Sequence, residues 1–506
     1  MQSSLANFHP VLRTWFEDTF GSPTPPQALG WPKIDRGENV LLLAPTGSGK
    51  TLAAFFKCLD FLYRKLLSGE IQEHGGVQVL YISPLKALNN DIYKNLQQPL
   101  NGIVEAGNTM GLFMPQITTA VRTGDTPQSE RQRMRRKPPH ILITTPESLF
   151  LMLSSQAREI LTSVKFVIVD EIHTLFPTKR GCHLALSLER LQNLAGQRPF
   201  QRIGLSATVN PLKEVGQFLV GCGRQCTIVN AGGRKDYDLQ IELPLPDLTL
   251  LPEKSVWPPL YKKLYALIKE HKTTLVFVNN RRQAERIAVN LNQLAGEEIA
   301  RTHHGSIARE MRLESEDLLK AGKIPCMVAT SSLELGIDVG HIDLVVQIES
   351  PKEVARGIQR VGRAGHVVGL PSKARIIPKT RLDLLESLVM LSAVKESAIE
   401  PCHAPQNALD VLAQQLVAMT TEGKWSSWSM YAVCKGAHNY AQLKWEDFER
   451  TLTMLAGVYQ SDQAIDLRPR LYWDRLDDVV SMDSYGKRLV YSNGGTIPNR
   501  GYYGVY

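Results

Sequence analysis

Short apolar runs alternate with longer helical patterns over the first 230 residues. Five of the runs are rich in leucine and β-branched residues and lead into loops, at residues 39–43, 78–82, 141–144, 166–169 and 201–205. Such runs are typical of parallel strands that are buried on both faces. Helical spacing lies between them, at residues 52–67 and 183–194. The alternation predicts an open parallel sheet whose ligands bind at the carboxyl ends of its strands.

The same alternation returns in the middle of the chain. Residues 230–252 contain two adjacent glycines and three prolines, which predict a linker or crossover. Strands with helices between them are then predicted at residues 274–278, 326–330, 344–348 and 374–378. We therefore predict the α/β fold class, with two tandem parallel-sheet lobes at residues 1–230 and 231–398.

The pattern changes from about residue 400. Helical spacing at residues 409–419 and 445–456 is followed by a tail rich in Tyr and Gly. This predicts a small, mainly helical module of winged-helix type over residues 399–506. Residues 488–491 and 502–506 flank a Gly-rich turn, so we expect a hairpin at the end of the chain.

Composition narrows the class of protein. Of 506 residues, 43% are hydrophobic and 21% charged, which argues against global disorder. No apolar run approaches the ~18 residues of a membrane span, and the N-terminus lacks a signal-peptide pattern, so we expect a cytoplasmic protein. The net charge is +8, and residues 1–230 alone carry 24 basic and 17 acidic side chains, a net of +7. A basic first half favours a polyanionic partner.

The cysteines and histidines do not form a recognisable metal motif. Seven cysteines are scattered along the chain, and only Cys222 and Cys226 are near neighbours. Reduced thiols are therefore favoured over a metal site. His173 likewise has no partner at ligand spacing, and neither zinc nor another His-bound metal is expected there.

A glycine-rich segment at residues 44–51, APTGSGKT, lies between a predicted strand and a predicted helix. Small residues let backbone N–H groups approach phosphate oxygens, and the helix N-terminus adds partial positive charge. A lysine and a hydroxyl at its end suit the β/γ phosphates of ATP and a Mg²⁺ ion. The candidate ligands of ATP and Mg²⁺ are Pro45, Thr46, Gly47, Ser48, Gly49, Lys50 and Thr51. An ordinary Gly-rich turn is the alternative.

Two acidic residues end the strand at residues 166–169. Asp170 at a strand end is placed to hold Mg²⁺, and the neighbouring carboxylate of Glu171 is placed to polarise an attacking water. In isolation such a pair is more often a cap or a surface pair. Its position complementary to the glycine-rich segment favours the catalytic interpretation.

Two arginines supply a candidate for charge neutralisation. Arg360 and Arg363 are three residues apart, and on a helix that spacing points both guanidinium groups the same way. An arginine that reaches the γ-phosphate accelerates hydrolysis by about 10³–10⁵-fold. If these arginines act across a cleft, hydrolysis requires the two lobes to close. A solvated basic helix face, or a contact to a phosphate backbone, is the alternative.

These motifs, in this order along residues 24–366, resemble a superfamily 2 DNA/RNA helicase. The resemblance also includes residues 24–27, 83–88, 144–148, 206–208, 276–281 and 329–338. More narrowly, the chain resembles the Lhr (large helicase-related) family, through segments such as SPLKALNND, DEIHTLFPTKRGCHLALSLERL, ATSSLELGIDVG, QRVGRAGH and GGTIPNRG.

The resemblance implies two RecA-like lobes and further site residues. Gln27 would read adenine, and Gly336 and Asp338 would contribute to the nucleotide site. Coupling between the nucleotide and nucleic-acid sites would fall to His173, Ser206 and Thr208. Contacts to the nucleic acid would come from Pro84, Lys86, Thr145, Arg281, Thr330 and Ser331.

The implied function is ATP-dependent 3′-to-5′ movement on single-stranded DNA, at a duplex or hybrid junction, in DNA repair. An RNA or RNA:DNA hybrid remodelling ATPase is one alternative, because phosphate contacts accept either backbone. A nucleic-acid clamp gated by ATP, without processive unwinding, is another, because the resemblance leads us to expect that the family's further C-terminal domain is absent.

Two other features leave their function open. The basic run Arg131, Arg133, Arg135, Arg136 and Lys137 suits duplex phosphates, although a solvated basic face is the simpler interpretation. Four tryptophans of the last module could stack on bases or belong to its core: Trp425, Trp428, Trp445 and Trp473.

Overall fold

Two parallel sheets organise the molecule, each at the centre of its own α/β lobe. The computed structural model describes residues 2–45, 47–196, 198–232, 237–248, 256–334, 340–365, 371–458 and 468–499. Both sheets are parallel throughout these ranges, and both have helices on their two faces. The predicted α/β class with two tandem lobes is confirmed.

Lobe 1 is built on a seven-stranded sheet of order β3-β4-β2-β5-β6-β1-β7 within the described residues. Its strands are β1 (Val40–Leu43), β2 (Val79–Ile82), β3 (Thr119–Arg122), β4 (Ile141–Thr144), β5 (Phe166–Val169), β6 (Gln201–Ser206) and β7 (Thr227–Asn230). Its helices are α1 (Pro10–Phe20), α2 (Pro25–Asp35), α3 (Lys50–Leu67), α4 (Lys86–Thr109), α5 (Gln128–Arg136), α6 (Pro146–Leu153), α7 (Ile172–Leu175), α8 (Lys179–Ala195) and α9 (Leu212–Val220). Central strands such as β1 are buried at every residue because helices cover both faces.

Lobe 2 repeats the plan with a sheet of order β10-β11-β9-β12-β13-β8. Its strands are β8 (Tyr237–Ile241), β9 (Thr274–Phe277), β10 (Ala300–His303), β11 (Cys326–Ala329), β12 (Leu344–Ile348) and β13 (Ser372–Ile377). Its helices are α10 (Trp257–Lys269), α11 (Arg281–Ala295), α12 (Arg309–Lys320), α13 (Val354–Val361) and α14 (Arg381–Glu396).

The third module consists of helices and a short antiparallel hairpin. The helices are α15 (Leu409–Met419), α16 (Ser427–Lys435), α17 (Trp445–Leu455) and α18 (Ser484–Ser492). The hairpin pairs β14 (Tyr472–Asp474) with β15 (Val479–Ser481). Helices with a two-stranded hairpin are the elements of a winged helix.

Several elements differ from the sequence prediction. Six of the described strands were not predicted: β3, β7, β8 and β10 of the lobes, and β14 and β15 of the third module. The prediction of a linker at residues 230–252 is wrong over β8, an edge strand in which Leu239 is buried while Asp238 and Gln240 face away from the core. Such alternation is a weak signal, because only one face of an edge strand is apolar.

The predicted terminal hairpin is also wrong where the structure describes it. Residues 488–491 belong to α18, which begins after Asp483, whose carboxylate accepts a hydrogen bond from the Gly486 N–H at 2.8 Å. An N-cap of this kind favours a helix over a strand. Residues 502–506, the other half of the predicted hairpin, lie outside the described residues.

The third module shares a hydrophobic core with lobe 1. Leu412 and Leu416 of α15 lie in the same apolar cluster as Leu184 and Leu188 of α8. Arg190 of α8, whose side chain is only 1% exposed, has two partners across this joint and one within lobe 1. Its guanidinium donates to Glu422 at 2.5 Å, to the Gln415 side chain at 2.9 Å and to the Ser154 hydroxyl at 3.2 Å. Lobe 1 and the third module therefore behave as one packed body.

In the described part of the chain, no helix combines the length and apolarity that crossing a bilayer requires. The seven cysteines are free thiols.

Removing the partner of Arg190 should weaken the joint. Glu422→Ala leaves a buried guanidinium with neutral partners only, so we expect the free energy of unfolding of lobe 1 to fall by about 3 kcal/mol. Glu449→Ala is the matched control, because it removes an exposed ion pair with Arg475 at 3.6 Å and should cost less than about 1 kcal/mol. Urea unfolding followed by tryptophan fluorescence measures both. Equal losses would contradict a buried joint.

Stability should also fall in mild acid because of His183. Burial lowers the pKa of His183 from 6.5 to about 4, and neither ring nitrogen has a hydrogen-bond partner among the residues that the structure describes. The folded state therefore stays neutral while the unfolded chain takes up a proton as the pH falls below 6.5. This costs the folded state about 3 kcal/mol by pH 4.

Urea unfolding at several pH values measures this effect. His183→Leu should flatten the loss of stability between pH 6.5 and 4, whereas His74→Leu, at an exposed site, should leave it unchanged. An unaltered pH profile in His183→Leu would contradict the assignment.

Candidate functional site

The glycine-rich segment forms a backbone cradle between β1 and α3. Gly47 and Gly49 have φ of +79° and +81°, a conformation that side chains disfavour. A Cβ on Gly49 would also lie 2.8 Å from Nε2 of Gln27. The segment therefore needs glycine at this position both for its turn and for the close approach of Gln27. Thr46, predicted as a ligand, lies outside the described residues.

Gln27 is fixed against this cradle. It is 3% exposed, and its Oε1 accepts a hydrogen bond from the Thr24 backbone N–H at 2.9 Å, which forms a capping box at the start of α2. Its Nε2 donates to the Gly49 carbonyl at 3.5 Å. The predicted adenine-reading residue is therefore in direct contact with the glycine-rich segment.

Lys50 and Thr51 begin α3, and Pro45 and Ser48 complete the turn before it. Nζ of Lys50 is buried and donates to the Ser206 carbonyl at 3.3 Å. The Ser48 hydroxyl donates to the Pro45 carbonyl at 2.6 Å, which closes the loop on itself. The cradle is thus tied to the end of β6, where the predicted coupling residues lie.

Asp170 and Glu171 follow β5. This strand pairs with β6, and β6 pairs with β1, the strand that leads into the cradle. The Asp170 carboxylate accepts hydrogen bonds from the Tyr81 hydroxyl and from the Glu171 backbone N–H. Burial, together with the neighbouring Glu171 carboxylate, raises the pKa of Asp170. Glu171 itself has φ of +45°, which is unusual for a residue other than glycine and is common where a side chain is aimed for function.

This pair of carboxylates fits a divalent cation. Two adjacent buried carboxylates repel each other, and a cation beside them would relieve that repulsion. Mg²⁺ characteristically takes one or two carboxylates plus substrate phosphates rather than an all-protein cage. No group of three or more His, Cys, Asp and Glu side chains forms such a cage among the described residues. Asp170 and the Thr51 hydroxyl remain the candidate ligands.

His173 links the acidic pair to the end of β6. Its Nδ1 lies 3.5 Å from the Glu171 carboxylate and accepts a hydrogen bond from the Ala207 N–H at 3.3 Å, with the Ser206 hydroxyl at 3.4 Å. Burial, reinforced by Lys50 and Arg363, lowers the pKa of His173 to about 4, so the ring is neutral near pH 7. The proton of the neutral ring therefore sits on Nε2. This is the arrangement expected of a coupling residue.

The two arginines of lobe 2 occupy different positions. The expectation that one helix face carries both is wrong, because α13 ends at Val361 and Arg363 lies beyond it. Arg360 is bound within lobe 2, where its guanidinium donates to the Glu334 carboxylate, to Gln347 at 2.7 Å and to Asn279 at 3.3 Å.

Arg363 faces lobe 1. It is 2% exposed, and its Nη2 donates to the Glu334 backbone carbonyl at 2.8 Å. Burial lowers the pKa of Arg363, while the carboxylates of Glu171 and Glu334 oppose that shift. The Glu171 carboxylate counters the shift in the pKa of Arg363, and Arg363 helps to lower the pKa of His173, so the guanidinium lies within electrostatic range of both lobe 1 residues.

Glu334 is a site residue that sequence reasoning missed. Its carboxylate pairs with Arg360 and its backbone carbonyl holds Arg363, so it organises both arginines. It stands inside the motif at residues 329–338, and a buried acidic residue there is the signal that could have identified it. Gly336 and Asp338, predicted as nucleotide ligands in the same motif, lie outside the described residues.

A second site, a cleft of roughly 2130 Å³, runs between the lobes and under the third module. Predicted nucleic-acid contacts from both lobes line it: Lys86, Arg281, Thr330 and Ser331. His173 and Thr208 also line it, so these two predicted coupling residues lie at the edge of the cleft that is nearest the cradle. Lys86 pairs with Asp125 at 2.6 Å, and Arg281 donates to the Ser306 hydroxyl.

Pro84 and Thr145, which were predicted to contact the nucleic acid, are both buried. Thr145 is 3% exposed, and its hydroxyl caps α6 by accepting from the Ser148 N–H. Pro84 is buried just before α4. Cap formation accounts for Thr145, and its contact with a nucleic acid stays a prediction.

A hydrogen-bonded relay supports one wall of the cleft. His303 is 1% exposed, and its ring nitrogens lie 2.9 Å from the Glu316 carboxylate and 2.8 Å from the Ser332 hydroxyl. Ser332 follows Thr330 and Ser331, so the relay fixes the loop that carries them. The paired histidines at residues 303–304 were visible in the sequence, but their partners are distant along the chain.

Several of the remaining basic and aromatic candidates make contacts that stabilise the fold. Arg131 donates to backbone carbonyls of the preceding loop at 2.8–3.2 Å, which stabilises the start of α5. Trp425 and Trp473 pack at the edge of the core and donate to a carbonyl and a carboxylate. Trp428 is 60% exposed and stacks on Trp445 with ring centroids 3.8 Å apart, so base stacking by this pair stays a prediction.

Comparison with known proteins agrees with this geometry. The DEAD/DEAH box helicase family matches residues 24–215, the helicase conserved C-terminal domain matches residues 259–367, and the winged helix domain of large helicase-related protein matches residues 392–506.

Relatives match along almost the whole chain. The chain is 44% identical to the "Lhr helicase/ probable uracil glycosylase" of Mycolicibacterium smegmatis, over 99% of this chain and 35% of that protein. It is 44% identical to the "ATP-dependent helicase Lhr-Core" of Methanocaldococcus jannaschii, over 96% of this chain and 57% of that protein. The chain therefore spans between about a third and three fifths of the length of these relatives.

A solved structure shows the same architecture. Mycobacterium smegmatis helicase Lhr bound to single-stranded DNA and AMP-PNP superposes with a TM-score of 0.90 at 46% identity, over 98% of this chain and 63% of that chain. The fold and site define two RecA-like lobes of a superfamily 2 helicase core followed by a winged-helix module. The chain belongs to the Lhr family.

The two arginines should differ in their contribution to stability. Arg360→Ala leaves the buried Glu334 carboxylate unpaired, so we expect lobe 2 to lose about 3–5 kcal/mol of unfolding free energy. Arg363→Ala removes one carbonyl contact and a buried charge, so we expect a loss of less than about 1.5 kcal/mol. Urea unfolding of both variants measures this, and equal losses would show that Arg360 is not held as described.

Proposed function

We propose that this chain is an ATP-dependent DNA helicase or translocase whose ATPase is stimulated by single-stranded DNA. The observation that supports it most is that the buried Arg363 of lobe 2 lies within electrostatic range of Glu171 of lobe 1, while a separate cleft carries residues suited to phosphates. The M. smegmatis relative bound to single-stranded DNA and AMP-PNP supports the same ligands here.

The residues divide the chemistry as follows. Gln27 positions the adenine, and Lys50 with the backbone N–H groups of Gly47, Ser48 and Gly49 binds the phosphates. Thr51 and Asp170 would hold Mg²⁺, which neutralises phosphate charge when bound. Gly336 and Asp338 stay proposed nucleotide ligands, as does Thr46.

Turnover requires groups from both lobes. Glu171 orients the attacking water and takes up its proton. Arg363 stabilises the charge that develops on the γ-phosphate, a contribution of about 10³–10⁵ in rate. Arg360 supports Arg363 by holding Glu334 in place rather than by touching the phosphate. This revises the expectation that both arginines act directly.

Movement along the nucleic acid would follow from the connection between the nucleotide site and the cleft. His173, Ser206 and Thr208 lie between the nucleotide and the cleft, so closure around ATP changes the contacts of lobe 2 relative to lobe 1. Lys86 and Arg281 lie on opposite lobes and would bind backbone phosphates alternately. A 3′-to-5′ direction, a duplex or hybrid junction, a repair context and a cytoplasmic location stay predictions.

The test is strand displacement with tailed duplexes. Substrates carry a 3′ or a 5′ tail, made of DNA or of RNA, and ATP hydrolysis is measured in parallel. We expect displacement of DNA with a 3′ tail. Displacement of RNA-tailed substrates alone would replace the proposal by an RNA-remodelling ATPase, and ATP turnover without displacement would replace it by an ATP-gated clamp.

Glu171→Gln should retain ATP binding and reduce turnover by at least about 10³-fold, because the amide cannot accept the proton from water. The matched control is Glu105→Gln, at an exposed position on α4, which should keep wild-type turnover. Equilibrium binding of fluorescent ATP and steady-state hydrolysis measure the two quantities. Normal turnover in Glu171→Gln would remove this residue from its role.

A further inference from the structure

A short strap joins the third module to both lobes. It consists of residues 399–402, which follow α14 and line the cleft. Its backbone is bonded to lobe 1 at Asn210, four residues after Ser206. The Cys402 N–H donates to the Asn210 carbonyl at 2.8 Å, and the Asn210 side chain donates to the Ile399 carbonyl at 3.2 Å. The strap is therefore fixed to the loop that follows the coupling residues.

The far side of the strap is also anchored on lobe 1. Ala404 is buried in the core shared by lobe 1 and the third module. The Pro405 carbonyl accepts a hydrogen bond from the Asn439 side chain at 2.8 Å, and Cys182 of α8 lies at 3.4 Å from the same oxygen. Residues on both sides of Glu400 are thus held by the body that contains the nucleotide cradle.

Glu400 itself reaches the other lobe. Its carboxylate accepts hydrogen bonds from the first N–H groups of α13, from Val354 at 2.7 Å and from Ala355 at 3.4 Å. The residue in the N-cap position, Glu353, makes no cap with its own side chain and pairs with Arg356 instead. Glu400 therefore supplies the anionic cap that this helix N-terminus favours.

The same helix leads to the arginine that faces the nucleotide site. α13 is a single rigid element of eight residues, and Arg363 lies two residues beyond its end. A cap that fixes the first turn of α13 relative to lobe 1 also limits where Arg363 can lie relative to Glu171. We propose that Glu400 is a positioning residue for ATP hydrolysis, which sets the approach of Arg363 by capping α13 from the lobe 1 side.

The inference rests on the ATPase activity proposed above, and it predicts a specific kinetic signature. Glu400→Ala should lower kcat at saturating ATP and single-stranded DNA by about tenfold. KM for ATP should change by less than about twofold, because Glu400 does not touch the cradle. Glu400→Gln should recover most of the loss, since an amide oxygen still accepts the Val354 hydrogen bond.

The control is Glu396→Ala. This exposed carboxylate lies four residues before Glu400 and accepts a hydrogen bond from the Ser392 hydroxyl of its own helix. It should keep wild-type kcat. Thermal unfolding and binding of a non-hydrolysable ATP analogue are measured for every variant, so that loss of folding or of nucleotide binding is distinguished from loss of positioning.

Three results would overturn the inference. Wild-type kcat in Glu400→Ala would show that the cap does not position Arg363. A parallel fall in kcat and in analogue binding, without recovery by Glu400→Gln, would show a general structural defect. A tenfold loss in Glu396→Ala would show that the effect is not specific to the cap. Absence of ATP hydrolysis in the wild-type chain would instead reject the proposed function.

Discussion

A guanidinium buried at the edge of one lobe faces a carboxylate buried at the edge of the other. Arg363 and Glu171 are both almost fully buried, and each is costly to bury without an opposite charge nearby. Glu334 offsets part of the Arg363 charge from within lobe 2, and the Glu171 carboxylate of lobe 1 offsets it further. The full electrostatic balance of the site therefore requires the lobes to approach each other. The position of lobe 2 relative to lobe 1 therefore determines the electrostatic balance of the site as well as its shape.

The nucleotide side of the site follows closely from local sequence. The glycine-rich segment, Asp170 and Glu171 are contiguous motifs, and their chemistry depends on a strand followed by a turn and a helix, which the apolar pattern predicts. Gln27 was found by resemblance to the family, and its contact with Gly49 explains why that glycine is needed. Contiguous motifs carry their geometry with them because the backbone between their residues is short.

The arrangement of lobe 2 depends on contacts between residues that are distant along the chain. Glu334 binds Arg360 across 26 residues, and His303 binds Ser332 across 29. Spacing alone suggested that Arg360 and Arg363 act together, but the end of α13 at Val361 separates them. Edge strands such as β8 were missed for a related reason, since half of their side chains face away from the core and weaken the apolar signal.

Because α8 and α15 share a hydrophobic core, lobe 1 and the third module move as one body. Since the winged-helix module is packed into lobe 1, a change in the spacing of the lobes displaces lobe 2 relative to both of them together. Under the proposed function, a strand bound in the cleft would therefore be held by lobe 1 and the third module while lobe 2 shifts along it.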